Sequence, residues 1–341
     1  MKKIIILTII LLLTGCYNYK EVSDLAFISS FSIDYTNNNE FNIILEIKEN
    51  NKDNLFSSYL LEGYGKTIEA AIQNASLSFN KNLYFINLDI LLISSNAANL
   101  KLNNILDYVT RDNNFALDFN IAICDDSKGA IENILKKEEI FGRYINTLFK
   151  NTDNNVINIK LNDLLNSYLN HYYDIILPII NLKDNTIIID EAVIFKNNEI
   201  IEHLNEKEIS IYNILSNNLM DYYIHLELDN NIVFKTTHYN TKTNFKNNTL
   251  YIIPTLTGSY IEFENLNLNN SKELKRITEK INAKFNNEVE AFIDNLIKIE
   301  SDPLGLKRYI KQKSLHKIKY RISTNIVLEN KSLIFKSIGG K

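Results

Sequence analysis

The residues with the clearest chemical potential stand near the start of the sequence, in the tetrapeptide Leu13-Thr14-Gly15-Cys16. A branched apolar residue, two small residues and a cysteine have the form of a lipobox. The small residues let the backbone enter the narrow site of a signal peptidase, and the thiol is the group to which a diacylglyceryl chain is joined as a thioether. This pattern predicts cleavage before Cys16 and a lipid on its sulfur.

The residues before Cys16 have the layout of a secretion signal. Lys2 and Lys3 form a positively charged start, and residues 4–13 are apolar with one exception. That run has the length of a signal-peptide hydrophobic region and is shorter than the ~20 apolar residues of a membrane-spanning helix. We expect removal of residues 1–15 and anchoring by a diacylglyceryl cysteine and palmitate, because two acyl chains hold a protein stably. An ordinary secretion signal with a chance cysteine is the alternative.

The rest of the sequence was searched for catalytic and cofactor motifs. HExxH, GxSxG, a Walker A loop and GxGxxG do not occur in it. The histidines are scattered, although His225 and His238 fall in predicted neighbouring strands and could bind a metal with a nearby aspartate; chance placement is the simpler explanation. Acidic pairs such as Asp125-Asp126 are typical of solvated loops. We therefore expect no catalytic residue, no metal and no cofactor.

The cysteines and the charge of the sequence argue against an intrachain disulfide and against a nucleic-acid-binding protein. If Cys16 carries lipid, Cys124 has no disulfide partner within the chain and is predicted to be a small buried residue at a strand end. The net charge of −4 becomes −4 − 2 = −6 when the leader and its two lysines are removed. The sequence has no basic block, so no nucleic-acid partner is expected. The hydrophobic content of 45% excludes a wholly disordered chain.

Through residue 137 the sequence alternates between strand and helix patterns. LAFISSFSIDY and FNIILEIKE, joined by the Asn-rich TNNNE, predict a hairpin. Apolar residues at helical spacing predict helices in KTIEAAIQNASLSFNKN and NAANLKLNNILDYVTRD, with the strand LDILLIS between them. FALDFNIAI predicts a half-buried strand, and Ser127 is the predicted N-cap of the helix that follows. This order indicates an α/β domain.

The second half of the sequence changes character. Residues 140–180 are predicted to be helical in their first part, and Pro178 is predicted to break any regular element in the remainder. EAVIFKNNEIIEHL then predicts a hairpin with an Asn-Asn turn. Four strand patterns fill residues 221–264, namely YYIHLEL, NIVFKTTHY, TLYIIPTL and SYIEFE, and two more, RISTNIVLE and SLIFKSI, end the chain. Residues 272–300 carry the longest apolar stripe of the chain, which predicts a helix ~40 Å long whose stripe packs on the preceding strands.

The predicted organisation has two folded domains behind a leader and a tether. The N-terminal domain is α/β with a mixed sheet, and the C-terminal domain is α+β with antiparallel strands and one long helix. The boundaries are residues 1–15 for the leader, 16–30 for the lipid anchor and lead-in, 31–185 for the first domain and 186–341 for the second.

Five segments, in order over nearly the whole mature chain, carry a family resemblance: GCYNYKEVSDLAFISSFSIDY, SFNKNLYFINLDILLISSNAA, ILDYVTRDNNFALDFNIAICDDSKGAIENIL, EAVIFKNNEIIEHLNEKEI and the long helix ending in DPLGL. They resemble the Ger(x)C family, the lipoprotein C subunits of spore germinant receptors. The matching positions are Tyr17, Glu21-Val22, Leu25-Ala26, Ile33-Asp34, Leu83-Tyr84-Phe85, Asp107, Arg111-Asp112, Ala130, Asp302, Leu304 and Gly305. The chain departs from the family at Ser30-Phe31-Ser32 and Asn87, and it lacks the family's C-terminal tryptophans.

The resemblance implies a role without catalysis. Members of this family work with a membrane-embedded A subunit and a transporter-like B subunit in the spore inner membrane, where they sense nutrients. The chain is expected to be the lipid-anchored C subunit, an accessory or assembly subunit on the outer face of that membrane. Germinant binding by the chain itself is left open. The alternative is a solute-binding lipoprotein of a membrane transporter, which usually has two similar lobes around a cleft.

Overall fold

The protein is described by a computed structural model that covers residues 22–50, 56–151, 156–169, 173–218, 221–226, 232–262, 270–310, 315 and 318–329. The predicted leader and the predicted lipidation site at Cys16 lie outside these residues. Within them the chain forms two β-sheets and eight helices, which is the mixed α/β class predicted from the sequence.

The first sheet is mixed. Its strands are β1 (Leu25–Tyr35), β2 (Phe41–Asn50), β3 (Phe56–Gly65), β4 (Asn82–Tyr84), β5 (Ile90–Ile93), β6 (Asn120–Ile123), β7 (Ile175–Lys183), β8 (Thr186–Lys196) and β9 (Glu199–Leu204). Their order in space is β3-β2-β1-β5-β6-β7-β8-β9, and the short β4 pairs with the start of β1. The central strands β1, β5, β6 and β7 are parallel, and an antiparallel meander flanks them on each side.

Helices cover both faces of the first sheet. The helices of the protein are α1 (Ile68–Ser76), α2 (Ser95–Arg111), α3 (Ser127–Leu135), α4 (Phe141–Lys150), α5 (Leu161–Leu169), α6 (Glu206–Ser216), α7 (Ser271–Lys298) and α8 (Lys307–Ile310). One core joins α1, α2 and α5 to one face of the sheet, and another joins α3 and α4 to the opposite face. This coverage corrects the prediction of a half-buried strand in FALDFNIAI, because β6 is only four residues long and is buried throughout.

Two local predictions in the first half are wrong. The N-cap of α3 is Asp126, whose side chain accepts the Gly129 N–H at 3.0 Å, and the predicted cap Ser127 is already the first helical residue. Pro178 does not end a regular element, since it lies inside β7 opposite Ala192. The pairing around Pro178 is irregular on both sides of β7: its register with β8 shifts between Ile179 and Asn181, and its register with β6 consists of the single pair Ile123–Ile179. A proline, which has no N–H to donate, is tolerated in a strand at such irregular positions.

The second sheet contains β10 (Tyr222–Leu226), β11 (Ile232–Lys246), β12 (Thr249–Glu262), β13 (Lys319–Ile322) and β14 (Asn325–Leu328). β10, β11 and β12 form an antiparallel meander as predicted, whereas β13 and β14 both pair in parallel with β12. The pattern TLYIIPTL and the first four residues of SYIEFE belong to one strand, β12, and the rest of SYIEFE lies outside the described residues. The pattern RISTNIVLE is divided into β13 and β14, and the last predicted strand, SLIFKSI, lies outside the described residues.

The long helix α7 confirms the prediction made from its apolar stripe. The stripe residues are buried, and they pack with the inward side of the second sheet and with α6: Ile277, Ile281, Phe285, Val289, Phe292 and Leu296. Asn270 caps the helix by accepting the Lys272 and Glu273 N–H groups. The helix and the sheet therefore bury one shared core, as expected for an amphipathic helix next to strands.

Strand β8 belongs to both halves of the protein. Val193 and Phe195 point into the core of α1 and α2, whereas Ala192 and Ile194 belong to the core of α6, α7 and the second sheet. Neighbouring residues of a strand point to opposite faces, so one strand can serve two cores. The boundary expected at residue 185 falls in the tight turn between β7 and β8, two paired strands of one sheet. The division into domains there stays a prediction.

Helix α6 is held at its start by a complete capping box. The Asn205 side chain accepts the N–H groups of Lys207 and Glu208 at 3.0 and 3.1 Å, and the Glu208 carboxylate accepts the Asn205 N–H at 3.0 Å. We expect Asn205→Ala to lower the free energy of unfolding by ~1 kcal/mol in urea titrations. The matched control Asn244→Ala, at an exposed strand position, should change it by less than ~0.5 kcal/mol. Equal losses for both would contradict this role of the cap.

Candidate functional site

The described chain starts six residues after Cys16, at the turn Val22–Asp24, and enters the first sheet at Leu25. Leu25 lies opposite Asn82 of β4, whose side-chain amide donates to the Asp24 carbonyl at 3.5 Å. The Phe27 and Tyr84 rings pack edge to face at 5.6 Å. Two of the segments that carry the family resemblance thus meet at the point where the tether joins the fold. Among the described helices, none is long and apolar enough to cross a membrane.

Asp34, one of the positions that carry the family resemblance, has a structural role at the opposite end of β1. Its carboxylate accepts the Ser94 hydroxyl, and Ser94 in turn caps α2 by accepting the Ala97 N–H at 3.0 Å. Asp125, one of the acids expected to be solvated, accepts the Ser95 N–H at 2.6 Å and its hydroxyl at 3.0 Å. Carboxylates at a helix N-terminus complement its partial positive charge. These acids therefore position α2 and show no arrangement for acid–base catalysis.

Glu46 is a fully buried carboxylate on β2, the strand next to the edge strand β3 of the first sheet. Its oxygens accept the Phe141 and Gly142 N–H groups at the start of α4, at 2.6 and 3.1 Å, and the Ser58 hydroxyl at 3.0 Å. A Cβ on Gly142 would come within 2.5 Å of the Ser29 carbonyl, so only glycine lets the helix start this close to β1. Burial raises the pKa of Glu46, and the hydrogen bonds partly offset it. Sequence analysis did not find this residue.

We expect Glu46→Gln to change how stability depends on pH. A carboxyl whose pKa is raised in the folded state contributes stability below its ordinary value of 4.5, and that contribution is lost as pH rises through the folded-state pKa. The wild type should therefore lose stability relative to the Gln variant as pH rises above about 4.5, by at most ~1.4 kcal/mol per pH unit. Urea titrations of both proteins at a series of pH values measure this change. The prediction would be contradicted by a stability difference that does not vary with pH, or by a wild type that gains stability relative to the Gln variant as pH rises.

The DPLGL segment that follows α7 forms a buried polar joint. Asp302 has no exposed surface, and its carboxylate accepts the Leu306 and Lys307 N–H groups, each at 2.7 Å. The Asp302 N–H donates to Asp174 at 2.6 Å, and the Ser301 hydroxyl donates to the same carboxylate at 2.8 Å. Asp174 directly precedes β7, so this joint connects the first sheet to the end of the long helix. Burial raises the pKa of Asp302.

Gly305 belongs to the same joint, and both its backbone conformation and its surroundings require a glycine at this position. Its φ of +65° is in the left-handed region, and a Cβ there would come within 2.3 Å of the Tyr173 ring. Arg308 lies over the same ring at 4.9 Å from its centre and donates to the Gly305 carbonyl at 3.2 Å. The family-matched Asp302 and Gly305 are thus explained by the turn that they build.

Other predicted site residues are not brought together. Arg111 pairs with Asp107 at 2.6 Å on the exposed side of α2, and Asp112 is the C-cap of that helix. His225 lies opposite Val233, whereas His238 lies further along β11 and opposite β12, so the suggested histidine pair does not form. Among the described residues no group of three or more His, Cys, Asp or Glu side chains is placed to hold a metal.

Cys124 is a buried free thiol, as predicted. Burial, together with the nearby Asp126 and Asp125, raises the pKa of Cys124 to about 12. The nucleophilic form of cysteine is the thiolate, so this thiol is unreactive at neutral pH.

Two clefts lie between the first and the second half of the chain. One, of about 700 Å³, separates β8 from β10, α6 and α7, and it contains the ion pair of Lys207 with Glu288 at 2.8 Å and the Tyr222 ring. The other, of about 410 Å³, borders the DPLGL segment and is lined mainly by polar groups, including Arg308. Both have space for a small molecule, and neither holds a nucleophile beside a general base.

Comparison with known families identifies both halves of the chain. Residues 18–182 match the family model described as "Spore germination protein N-terminal domain", and residues 190–325 match "Spore germination B3/ GerAC like, C-terminal". Residues 183–189, between the two matches, contain the turn between β7 and β8.

Individual relatives agree with these matches. Spore germination protein GerQC of Bacillus cereus is 22% identical over 320 residues, which cover 89% of this chain and 88% of that protein. Spore germination protein KC of Bacillus subtilis (strain 168) is 28% identical over 148 residues, which cover 39% of this chain and only 35% of that protein.

The fold also has a solved counterpart. The crystal structure of the GerBC protein superposes with a TM-score of 0.53 at 13% identity, over 88% of this chain and 97% of that one. At this identity the likeness concerns the fold alone, and it agrees with the mixed α/β architecture described above. Because the two family models together match most of its length, the chain belongs to the GerAC family of spore germination proteins.

Proposed function

We propose that this protein is the lipid-anchored C subunit of a spore nutrient germinant receptor, held by Cys16 on the outer face of the spore inner membrane. It serves as a non-enzymatic accessory or assembly subunit beside membrane-embedded A and B subunits. The observation that carries the proposal is the match of both family models, in order, behind a lipobox.

The geometry supports a structural role over a catalytic one. The buried carboxylates of Glu46 and Asp302 accept backbone N–H groups, and the buried Cys124 thiol has a raised pKa. These groups hold elements together and are shielded from any substrate. Membrane attachment by lipid leaves the whole folded body available for contacts with neighbouring subunits.

The alternative of a solute-binding lipoprotein finds less support in the fold. Binding proteins of that class usually have two similar lobes that close on a ligand between them. Here the first sheet has nine strands covered by helices on both faces, whereas the second has five strands and one long helix. The two halves are therefore unlike each other, and β8 joins their cores.

The test is a comparison of membrane fractions from growing cells and from purified dormant spores of the same culture, probed with an antibody to this protein. We expect the signal in the spore inner membrane and little in growing cells. A strain that lacks the gene should then show a reduced response to at least one nutrient germinant. A signal mainly in growing-cell membranes would overturn the proposal and favour the solute-binding alternative.

A further inference from the structure

One edge of the first sheet combines the tether with exposed apolar side chains. The tether enters at Leu25, the amino end of β1, and the parallel strands β4, β5 and β6 start at the same edge. Helices α1 and α2 lie on one face of the sheet and run back to this edge, because each follows a strand that ends at the opposite one. We call this region, formed by residues 77–89 and 112–119 together with Leu25, the amino edge.

Three apolar side chains of the amino edge are exposed to solvent: Leu77 by 83%, Ile86 by 41% and Leu117 by 37%. Leu77 ends α1, Ile86 lies in the turn between β4 and β5, and Leu117 lies between α2 and β6. Their neighbours Phe85 and Phe115 pack together with ring centres 4.7 Å apart, which brings two of these segments side by side. Single exposed apolar residues are common, and three of them here lie along the edge at which the tether enters the fold.

The covalent reach of the tether limits what that partner can be. Val22 is six positions after Cys16, and a fully extended chain spans at most ~3.6 Å per residue, so the lipid-bearing sulfur lies within roughly 20–25 Å of Val22, three positions before Leu25. A lipid on Cys16 therefore keeps this edge next to the bilayer, whereas the opposite edge of the first sheet is farther from it.

We propose that the amino edge rests on the membrane, with Leu77, Ile86 and Leu117 inserted into the lipid interface. This inference rests on the proposed anchoring at Cys16. Apolar side chains of peripheral proteins reach ~5–10 Å into the boundary between headgroups and acyl chains. The lipid then fixes the orientation of the body as well as its location, with the opposite edge of the first sheet, where α2 begins, facing away from the membrane.

The charges of the amino edge point to apolar rather than electrostatic contact. Residues 77–89 carry Lys81 and Asp89, and residues 112–119 carry Asp112 and Asp118, so the edge has no cluster of positive charge. Asp89 is already paired with Lys48 at 2.7 Å and Asp118 with Lys160 at 2.6 Å. We therefore expect the contact to form on neutral phosphatidylcholine and to be nearly independent of salt, because only charged contacts between exposed groups are strongly screened.

Tryptophan reporters test the proposal without a background signal, since the sequence contains no tryptophan. Leu77→Trp and Ile86→Trp report on the amino edge. Leu100→Trp is the matched control, because Leu100 is 59% exposed in the second turn of α2, toward the opposite edge. Chains starting at Cys16 are coupled through that thiol to a maleimide lipid in phosphatidylcholine vesicles, with or without bromine on the acyl chains. The buried Cys124 thiol does not react.

We expect the emission of Leu77→Trp and Ile86→Trp to lie at shorter wavelength on vesicles than in the protein without lipid, because the indole leaves water. Their emission should be roughly half as intense on brominated as on unbrominated vesicles, at low and high salt alike. The emission of Leu100→Trp should stay unchanged. Equal emission of all three variants on vesicles that carry the protein would overturn the proposal and assign the amino edge to a protein partner. Because the lipid is attached chemically, absence of lipidation in cells would overturn the proposed anchor and leave this result valid.

Discussion

Cys16→Ala should release the protein from the membrane and abolish receptor function while leaving the fold intact. Each buried methylene of an acyl chain contributes ~0.8 kcal/mol to membrane binding, so two chains make attachment nearly irreversible. None of the described helices is long and apolar enough to cross a membrane. Fractionation of spores by flotation should find the variant in the soluble fraction, and spores that carry it should respond to germinant as poorly as a deletion strain.

The chain contains its own control for this experiment. Cys124 is the second of its two cysteines and lies buried at the carboxyl end of β6. Cys124→Ala removes a thiol without touching the lipobox and should leave membrane attachment unchanged, with a loss of stability of about 1 kcal/mol. Retention of Cys16→Ala in the membrane fraction would show that contacts with other subunits, rather than lipid, dominate anchoring.

Asp302→Ala should destabilise the folded protein by ~3–5 kcal/mol, because it removes a buried charged acceptor from two backbone N–H groups. Those N–H groups, on Leu306 and Lys307, would be left without an acceptor in a site that solvent does not reach. The turn that connects α7 to Asp174 and β7 would loosen with it. Urea titrations followed by circular dichroism measure the loss.

Two variants make the result specific. Asp118→Ala removes an exposed acid that pairs with Lys160 at 2.6 Å, and such surface pairs contribute ~1 kcal/mol or less. Asp302→Asn keeps one side-chain acceptor and should fall between Asp302→Ala and the wild type. A loss for Asp302→Ala no larger than that of Asp118→Ala would show that the joint is not needed for stability.

Local patterns predicted most elements correctly, since a helix or turn is specified by residues close in sequence. The apolar stripe of α7 predicted its bounds to within two residues, and the Asn-Asn turn at 197–198 was read from residue type because asparagine tolerates positive φ. The wrong predictions concern residues whose structure depends on contacts with segments far away in the sequence. Pro178 lies just before a register shift between β7 and β8, and the short β6 is buried on both faces. Neither condition is visible in the local sequence.

The buried polar groups were beyond sequence reasoning for the same reason. Glu46 meets Phe141 across 95 residues, and Asp174 meets Ser301 across 127. Within its own strand Glu46 reads as an ordinary outward-facing residue of an alternating pattern. The family resemblance did single out Asp302 and Gly305, without giving the turn that explains them. The prediction at Cys16 rests on an entirely local signal, a lipobox behind an apolar run, and it stays a prediction because Cys16 lies outside the described residues.

The two-sided packing of β8 has a consequence for how the protein unfolds and for how its relatives can be recombined. Val193 and Phe195 belong to one core and Ala192 and Ile194 to the other, so neither core can open without withdrawing a strand from its neighbour. We expect a single calorimetric transition for the whole molecule. A chimaera of two family members joined at residue 185 would pair β7 of one parent with β8 of the other; a crossover within the helix–strand connection at 170–174 would leave that pair intact.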